Sequence, residues 1–465
     1  MMSTTGSLTD SARNFTEAEP KADFLRSFLR DLFLKFEREG IEYALAREYG
    51  PFPASLCNRD LDLLVGEGQL ERAYQAVRSA AQKCSSTVLR VDQESAMWLL
   101  VIPSDLSSGL RVDLATPNSY TWRGVRCLKL DHAFRRKVWE GGTYRLHAHD
   151  ILYMQFCRDI MGSLELREKY RSGIKRIYLD NPHAFEARLT EIFGPHISTQ
   201  LSEVCRKANF EGLRNLGKQM RRAVIWRGLV QDPIGTSRDI LRYLVRRCGE
   251  YIRPNGVMVA VIGPDGSGKG TLIEKLELFM TGPLQFPPRV YHWRPGLLPS
   301  LGSLFLGRND GDTPVSDPHA KEPSGAILSL LRLAYYTLDF ALGYWLLVRP
   351  CLGRKCMAAI FDRYFFDCLI DPLRFRISLP QRVIRAFSIL VPKPDVVILL
   401  SAEPEVIYER KPELPVSEIH RQASEMAGFA KYMGNSVWID SSGPLEDSAR
   451  EMIRAVLGIL EERLV

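Results

Sequence analysis

One stretch of the chain decides its fold: Val257-Met258-Val259-Ala260-Val261-Ile262-Gly263-Pro264-Asp265-Gly266-Ser267-Gly268-Lys269-Gly270-Thr271. Its first six residues are apolar without polar alternation, which favours a strand covered on both faces in a parallel sheet. The glycines that follow allow the positive φ angles and the close backbone approach that a Cβ hinders. From Leu272 to Phe279 the apolar residues recur at helical spacing. The stretch therefore predicts a strand, a glycine loop and a helix.

A phosphate-binding loop (P-loop) requires this order of elements. Backbone N–H groups and the positive helix end would surround the β-phosphate of a nucleotide, and Lys269 would bring a charge to the transferring phosphoryl group. Gly270 stands where the commonest motif has Ser or Thr, so direct or water-mediated Mg²⁺ binding at Thr271 stays open. The residues expected to bind ATP are Gly263, Asp265, Gly266, Ser267, Gly268, Lys269, Gly270 and Thr271.

Strands and helices alternate after this loop. Strands are predicted at 289–292, 357–361, 396–400 and 436–440, and helices near 325–348, 380–391, 403–411, 417–433 and 445–463. The pattern predicts a three-layer α/β domain with a parallel sheet over residues 256–465, with ligands at the carboxyl ends of the strands. Asp362 and Arg363 follow one strand directly. An aspartate there can hold Mg²⁺ through water, and the arginine can grip a phosphate; a surface ion pair is the disfavoured alternative.

This region resembles the thymidylate kinases, which belong to the nucleoside monophosphate kinases of the P-loop class. The resemblance lies in the glycine loop, in Asp362-Arg363-Tyr364, and in the strand and helix spanning 394–410. It implies an ATP- and Mg²⁺-dependent kinase in which Lys269 and a lid arginine, Arg410, stabilise the transferring phosphoryl. It also implies that Arg363 binds the acceptor phosphate, while Asp265 positions the acceptor or Arg363.

Departures from this family concern the acceptor. Asp339 is followed by Phe340 where the family has an arginine, and Arg294-Pro295-Gly296 lacks the family's glutamate. A Gly- and Pro-rich insertion over 297–324 carries Arg308, His319 and Lys321, which could meet a different acceptor. Three functions therefore stay open: a kinase for thymidylate or another nucleotide, a kinase for a sugar or glycan intermediate in bacterial surface-polysaccharide synthesis, or an ATP-binding regulatory module on a membrane assembly.

Residues 21–150 form a second predicted domain, of the α+β class. Asp60 and Asp62 lie in Arg59-Asp60-Leu61-Asp62-Leu63-Leu64-Val65, where a strand would turn both carboxylates to one face, and Asp113 lies on a later strand. This arrangement resembles the nucleotidyltransferase superfamily, in which such a triad binds magnesium and a nucleoside triphosphate. The family's Gly-Gly or Gly-Ser pair is absent upstream. Catalysis, ligand binding without turnover, and carboxylates that only solvate a sheet edge therefore stay open.

Composition sets the remaining expectations. The chain has 465 residues, which suits two or three domains, and 45% hydrophobic with 25% charged residues suits a globular protein. A net charge of +7 is modest for this length, so nucleic acid is not an expected partner. The nine cysteines include no Cys-x-x-Cys pair, which favours free thiols in a reducing compartment. Residues 1–20 are predicted to be a disordered tail, and the protein is expected in the cytoplasm.

Residues 151–255 are predicted to be a helical connector with a basic stretch. Between Cys205 and Arg253 there are twelve Lys or Arg against four Asp or Glu. A basic amphipathic helix can lie on an anionic membrane, but a solvated face or a dock for the neighbouring domain is favoured here. A homodimer also stays open, because thymidylate kinases are often dimers and no helix face decides the matter.

Overall fold

The structure is a computed structural model that describes residues 8–47, 56, 60–93, 96–106, 108–299, 324–353 and 357–464, with side chains from residue 23 onward. It divides into two compact units, unit 1 (Met1–Cys248) and unit 2 (Gly249–Val465). The division falls earlier in the chain than the predicted boundary after residue 255. The cysteines within the described ranges are free thiols.

Unit 1 is a mixed α/β structure. Its elements are α1 (Leu8–Arg38), β1 (Tyr43–Leu45), β2 (Leu61–Val65), α2 (Leu70–Lys83), β3 (Ser86–Asp92), β4 (Ala96–Pro103), β5 (Leu110–Ala115), β6 (Thr121–Trp122), β7 (Val125–Arg126), α3 (Asp131–Arg135), β8 (Val138–Glu140), β9 (Thr143–Arg145), α4 (Ala148–Gly162), α5 (Glu168–Asp180), α6 (Pro182–Phe193), α7 (Pro195–Lys207), α8 (Leu213–Gln231) and α9 (Pro233–Ile252), the last of which ends in unit 2.

The main sheet of unit 1 has seven strands in the order β3-β4-β5-β2-β1-β9-β8. Strands β2 and β5 are parallel neighbours, whereas β3, β4 and β5 pair antiparallel. Side chains alternate between the two faces of β2: Leu63 and Val65 join an apolar core with α1 and α2, and Leu64 joins a second core with α4 to α8. Asp62 therefore lies on the same face as Leu64.

Two predictions for unit 1 need correction. Helix α1 begins at Leu8, so the disordered tail predicted for residues 1–20 is wrong from that residue onward. The polar start of α1 and the amphipathic segment from Phe24 to Phe36 belong to the same helix, although Pro20 lies between them. Helices α4 to α8 share one apolar core with the sheet, so residues 151–248 belong to unit 1 and are not a separate connector.

Unit 2 contains a five-stranded, all-parallel sheet in the order β11-β12-β10-β13-β14. Its elements are β10 (Val257–Ile262), α10 (Lys269–Thr281), β11 (Arg289–His292), α11 (Ala326–Gly343), which continues through a π-helical turn (Tyr344–Val348) into α12 (Arg349–Leu352), β12 (Ala358–Asp362), α13 (Asp367–Ile370), a 3₁₀ turn (Leu373–Phe375), α14 (Gln381–Ser388), β13 (Val396–Ser401), α15 (Pro404–Arg410), α16 (Val416–Met433), β14 (Ser436–Asp440) and α17 (Leu445–Leu464).

Helices cover both faces of this sheet. Met258, Ala260 and Ile262 of β10 join an apolar core with α11, α13, α14 and α16. Helices α10 and α17 contact each other and β10. Every residue of β10 and β13 is buried, as expected for central strands of a parallel sheet. Unit 2 is therefore a three-layer α/β structure, with the strand before the glycine loop at its centre.

One segment within the described ranges, Ala326–Leu352, is long and apolar enough to cross a membrane by those criteria alone. One third of its most apolar 18-residue stretch is buried. Its side chains Leu333 and Phe340 belong to the apolar core of unit 2, and its Asp339 is fully buried against Arg294, with the two side chains 3.1 Å apart. These contacts make the segment a packed helix of unit 2.

Candidate functional site

The glycine loop, residues 263–268, connects the carboxyl end of β10 to the start of α10. Gly266 and Gly268 have φ angles of 89° and 87°, which residues with a side chain rarely adopt. A Cβ on Gly263 would lie 2.3 Å from the carbonyl oxygen of Leu400 on the neighbouring strand β13. The loop therefore requires glycine at these places for conformation and for space.

We expect Gly263→Ala to destabilise unit 2 by about 1–3 kcal/mol, because the new methyl group must displace the β13 backbone. Gly270→Ala is the matched control. Gly270 is exposed in the first turn of α10 with nothing within 4 Å of an added Cβ, so alanine there should be neutral or stabilise by up to about 1 kcal/mol. Thermal unfolding of the two variants checks this, and equal midpoints would contradict it.

Five charged side chains meet beside the loop. Asp265 accepts hydrogen bonds from Arg363 and Arg374, and its carboxylate lies 3.6 Å from the Lys269 ammonium. Arg363 also pairs with Asp367 at 3.1 Å. The Lys269 ammonium donates to the carbonyl oxygens of Gly263 at 2.8 Å and Pro264 at 2.7 Å. The structure thus brings together Asp265, Lys269 and Arg363, three of the predicted catalytic residues.

The charges in this cluster shift one another's titration. Burial and, to a lesser degree, the nearby Arg363 together lower the pKa of Lys269 to about 7. Burial alone would raise the pKa of Asp265, but Arg363, Lys269 and Arg374 together hold it well below its ordinary value. The charges of this cluster are therefore paired with one another and partly desolvated. An anionic ligand that entered the site could replace Asp265 as the partner of the cations.

Two buried oxygen atoms at the site accept or donate no hydrogen bond among the described residues. They are Oδ1 of Asp362, at the end of β12, and Oγ of Ser267, in the loop. The other carboxylate oxygen of Asp362 is 3.6 Å from His292 Nδ1. Thr271 is exposed in the first turn of α10. The Asp362 carboxylate and the hydroxyl groups of Ser267 and Thr271 are oxygen donors of the kind that Mg²⁺ prefers.

The predicted lid arginine, Arg410, is not among these contacts. It donates to the carbonyl oxygen of Ser441 at 3.0 Å, because α15 directs it toward the end of β14. The other cations of this segment are also paired, Lys411 with Glu413 at 3.1 Å and Arg421 with Glu418 at 2.7 Å. Arg308, His319 and Lys321 of the insertion lie outside the described residues.

The segment predicted to face the acceptor has structural contacts instead. Asp339 accepts from the backbone N–H groups of Gly296 (3.3 Å) and Leu298 (2.6 Å), so it holds the loop after β11. Phe340 is buried in the core. Trp293 stacks on Phe375 with ring centres 4.6 Å apart, and its buried indole N–H has no acceptor among the described residues. An aromatic surface with an unused donor thus lies at the end of β11.

Unit 1 contains a second candidate site, built on β2 and β5. Asp62 and Asp113 are register partners on these parallel strands, and Asp60 precedes β2 on the same face. One oxygen atom from each of the three carboxylates lies within 4.8 Å of the others. Side-chain alternation along the strands and the parallel register of β2 and β5 together explain why the three carboxylates lie so close to one another. Oxygen donors in such a group suit a divalent cation.

Arginines neutralise these carboxylates. Arg47 pairs with Asp60 and, at 3.0 Å, with Asp62, while Arg111 forms a two-pronged pair with Asp113 at 2.6 and 2.7 Å. Burial still raises the pKa of Asp62, and it raises the pKa of Asp113 to about 6 against the opposing effect of Arg111. A bound cation could compete for the same oxygen atoms, so the trio fits a metal that exchanges with arginine side chains.

A cavity of about 850 Å³ opens beside Asp62 and Asp113. Three aromatic residues and three arginines contribute to its lining: Trp98, Tyr120, Trp122, Arg158, Arg167 and Arg171. Trp98 is the register partner of Asp113 on β4, which puts its ring on the same face as the carboxylates. Rings can stack on a base or sugar, and arginines can pair with phosphates, so the cavity suits a nucleotide-sized anion.

Several residues of these sites were missed by the sequence analysis, among them the charged residues Asp367, Arg374, Arg47 and Arg111. Asp367 and Arg111 carry a local signal, since Asp367 follows Arg363 by only four residues and Arg111 shares a strand face with Asp113. Arg374 contacts Asp265, and Arg47 contacts Asp60 and Asp62, from separate segments of the chain. No spacing in the sequence predicts those contacts.

Comparisons with known proteins add little. No protein-family model matches the chain, and no curated protein matches it. Among solved structures, the chain is similar to a thymidylate kinase from Ehrlichia chaffeensis, at 16% sequence identity and a TM-score of 0.30, over 44% of this chain and 100% of that one. The similarity is weak, and the function is inferred from the chemistry of the two sites.

Proposed function

We propose that unit 2 is an ATP-dependent kinase of the P-loop class that transfers a phosphoryl group to a small acceptor. One observation carries the proposal. Lys269, Asp265, Arg363 and Arg374 form a single cluster at the carboxyl ends of the central strands β10 and β12, directly beside a glycine loop and a helix start. Ligands of parallel α/β sheets bind at that edge, and clustered cations are what phosphoryl transfer needs.

The residues of the cluster have distinct roles in this proposal. The amides of the glycine loop and the start of α10 bind the nucleotide phosphates. Lys269 leaves its two carbonyl partners and pairs with the phosphoryl group in transit, where its charge stabilises the transition state. Arg363 and Arg374 hold an anionic acceptor in place of Asp265. Asp362 and Thr271 would hold Mg²⁺, directly or through water, and the ion would neutralise phosphate charge.

The acceptor is proposed to be a nucleoside monophosphate, with thymidylate as the first candidate. Two arginines on one carboxylate support an anionic acceptor, and the Trp293–Phe375 stack supports a planar group near it. A sugar or glycan intermediate is the alternative acceptor. It is favoured by Phe340, which stands where the thymidylate kinases have an arginine that helps to recognise the nucleotide.

ADP formation from ATP and Mg²⁺ across an acceptor panel tests the proposal. The panel contains thymidylate, other nucleoside monophosphates, monosaccharides and sugar phosphates. Turnover with nucleoside monophosphates supports the first acceptor class, and turnover with sugars alone replaces it with the second. ATP binding without turnover across the panel would contradict a kinase and favour an ATP-binding regulatory module.

A second function is proposed for unit 1, namely metal-dependent nucleotidyl transfer. The three carboxylates and the cavity with its rings and arginines favour it. Asp60, Asp62 and Asp113 would hold the cation, which would supply charge to the triphosphate, while the cavity arginines would orient the phosphates and Trp98 or Tyr120 the base. The kinase in unit 2 would then form a product that unit 1 could activate.

We expect Asp62→Asn/Asp113→Asn to weaken Mn²⁺ binding to unit 1 at least tenfold, because two of three anionic ligands are lost. Pyrophosphate release from a nucleoside triphosphate should fall in parallel. Electron paramagnetic resonance of free Mn²⁺ measures the first, and a coupled phosphate assay the second. Asp92→Asn, at an exposed pair with Arg90, is the control. A wild-type chain that binds no Mn²⁺ outside unit 2 would overturn metal-dependent transfer and leave ligand binding.

A further inference from the structure

Helix α9 exposes nearly all of its surface to solvent. Thr236 is its one buried side chain, although the helix is 20 residues long. Several large apolar residues are exposed on it, among them Ile234 by 82%, Leu241 by 60%, Leu244 by 52% and Val245 by 63%. A helix of this length in a soluble domain normally turns such residues inward. Its apolar residues face outward instead.

These residues form one stripe. Ile234, Leu241 and Val245 are separated by seven and four residues, so they lie within a narrow angle on the helix surface, and Leu244 and the exposed Cys248 lie at its edge. On the preceding helix α8, Trp226 and Val230 are also exposed, by 70% and 65%. An exposed apolar patch rimmed by polar residues marks an interaction surface.

Basic residues flank the stripe. Helix α9 carries Arg238, Arg242, Arg246 and Arg247 against Asp239 and Glu250, and α8 carries five Lys or Arg and no acidic residue. At helical spacing, Arg238 and Arg242 fall beside one edge of the stripe and Arg247 beside the opposite edge. Asp239 lies 3.6 Å from Arg242. A partner complementary to this face would therefore carry negative charge on both sides of an apolar centre.

A concave basic site borders the same helix. A cavity of about 360 Å³ is lined by three arginines, one aspartate and several polar residues: Arg126, Arg242, Arg246, Asp239, Gln93, Asn118 and Thr121. Three positive charges against one negative charge leave it basic. Three guanidinium groups around one cavity suit a phosphate, because each offers a fork of donors. The stripe and the cavity share α9, so a partner with an apolar layer and a phosphate layer would engage both.

We propose that α9 binds an anionic lipid bilayer, with the apolar stripe at the level of the acyl-chain boundary and lipid phosphates in the basic cavity and along the arginines. Amphipathic helices with arginine on their flanks and Trp or Leu at the centre bind membranes in this manner. The proposal is independent of the activity of either unit. It implies that the full chain works at a membrane surface without spanning it.

Co-sedimentation of the full chain with vesicles tests this proposal. Vesicles of phosphatidylcholine with 30% phosphatidylglycerol should sediment the chain, and pure phosphatidylcholine vesicles should do so at least tenfold less well, with binding that falls as salt rises. Equal sedimentation with both vesicle types, or none with either, overturns it. A chain that self-associates without vesicles through this face also overturns it, since a second copy is then the partner.

Two variants locate the surface. Leu241→Glu/Val245→Glu should reduce vesicle binding at least tenfold, because it puts charge into the apolar stripe. Arg242→Gln should reduce it about fivefold and weaken its salt dependence. Ile327→Glu/Leu331→Glu is the matched control, since these residues are exposed by 80% and 63% on α11 without a comparable basic flank. Loss of binding in the control but not in the α9 variant would overturn the assignment.

A probe at Cys248 gives a readout that misfolding cannot imitate. A polarity-sensitive fluorophore on this exposed thiol, in a chain with Cys57, Cys84 and Cys356 replaced by Ser, should shift its emission to shorter wavelength with anionic vesicles. Brominated acyl chains should quench it. An unshifted spectrum under conditions where the chain sediments would show that another surface binds the vesicle, and would overturn the proposal.

Discussion

Phosphoryl transfer should fall roughly a thousandfold in Lys269→Ala. Lys269 is 7% exposed, and it can exchange two neutral carbonyl partners for the phosphoryl group as charge develops there. The stabilisation is lost only in the transition state, so kcat should fall while ATP affinity changes less, because the loop amides remain. Initial rates of ADP formation, with acceptor saturating, measure the change in kcat.

The control for this variant is Lys275→Ala. Lys275 lies two turns further along the same helix and pairs with Glu446 at 3.0 Å on the surface, so its loss should leave kcat unchanged. If Lys269→Ala retained most of the wild-type kcat, the phosphotransferase proposal for unit 2 would be wrong. A rate that fell equally in both variants would point to unspecific damage.

Lys269 should also change the pH dependence of the free energy of unfolding, and this effect requires no substrate. Its pKa is about 7 in the fold and 10.5 for an ordinary lysine, so between these values the unfolded chain binds the additional proton. The free energy of unfolding should therefore rise with pH from about 7 to about 10 in the wild type, relative to Lys269→Met. Denaturant unfolding at several pH values measures the difference, and parallel curves would contradict the lowered pKa of Lys269.

Arg363→Ala should have the largest effect on stability, about 3–5 kcal/mol, and should abolish phosphoryl transfer as well. Arg363 bridges the partly buried Asp265 and the buried Asp367, and its removal leaves uncompensated negative charge behind. Arg374 and Lys269 remain near Asp265, but within the described contacts they do not pair with Asp367. Thermal and denaturant unfolding measure the loss.

Two further variants complete this test: one separates the charge of Arg363 from its geometry, and the other is a control at an exposed arginine. Arg363→Lys keeps the charge but not the fork that reaches both carboxylates, so its stability should lie between wild type and Arg363→Ala. Arg450→Ala removes an exposed arginine that lies 3.4 Å from Asp447 and should change stability by no more than about 0.5 kcal/mol. An Arg363→Ala chain as stable as Arg450→Ala would show that the buried bridge contributes little.

Much of unit 2 was predictable because its signals are local. The apolar run gave β10 with its observed bounds, Val257–Ile262, and the strands at 289–292 and 436–440 also match. In unit 1, the convergence of Asp60, Asp62 and Asp113 follows from side-chain alternation once β2 and β5 are parallel neighbours. Each of these features depends on backbone geometry within about ten residues, or on the two-residue period of a strand.

The sequence alone thus determined the elements, the loop chemistry and the identity of the carboxylates, because local sterics and apolar periodicity encode them. Only the tertiary structure decided which charges pair: Arg374 reaches Asp265 across 109 residues of chain, and Arg47 reaches the aspartates of β2. It also decided that Arg410 turns to Ser441 and that the apolar stripe of α9 stays uncovered. Such outcomes depend on which distant segments the chain topology makes neighbours, and no local pattern encodes that choice.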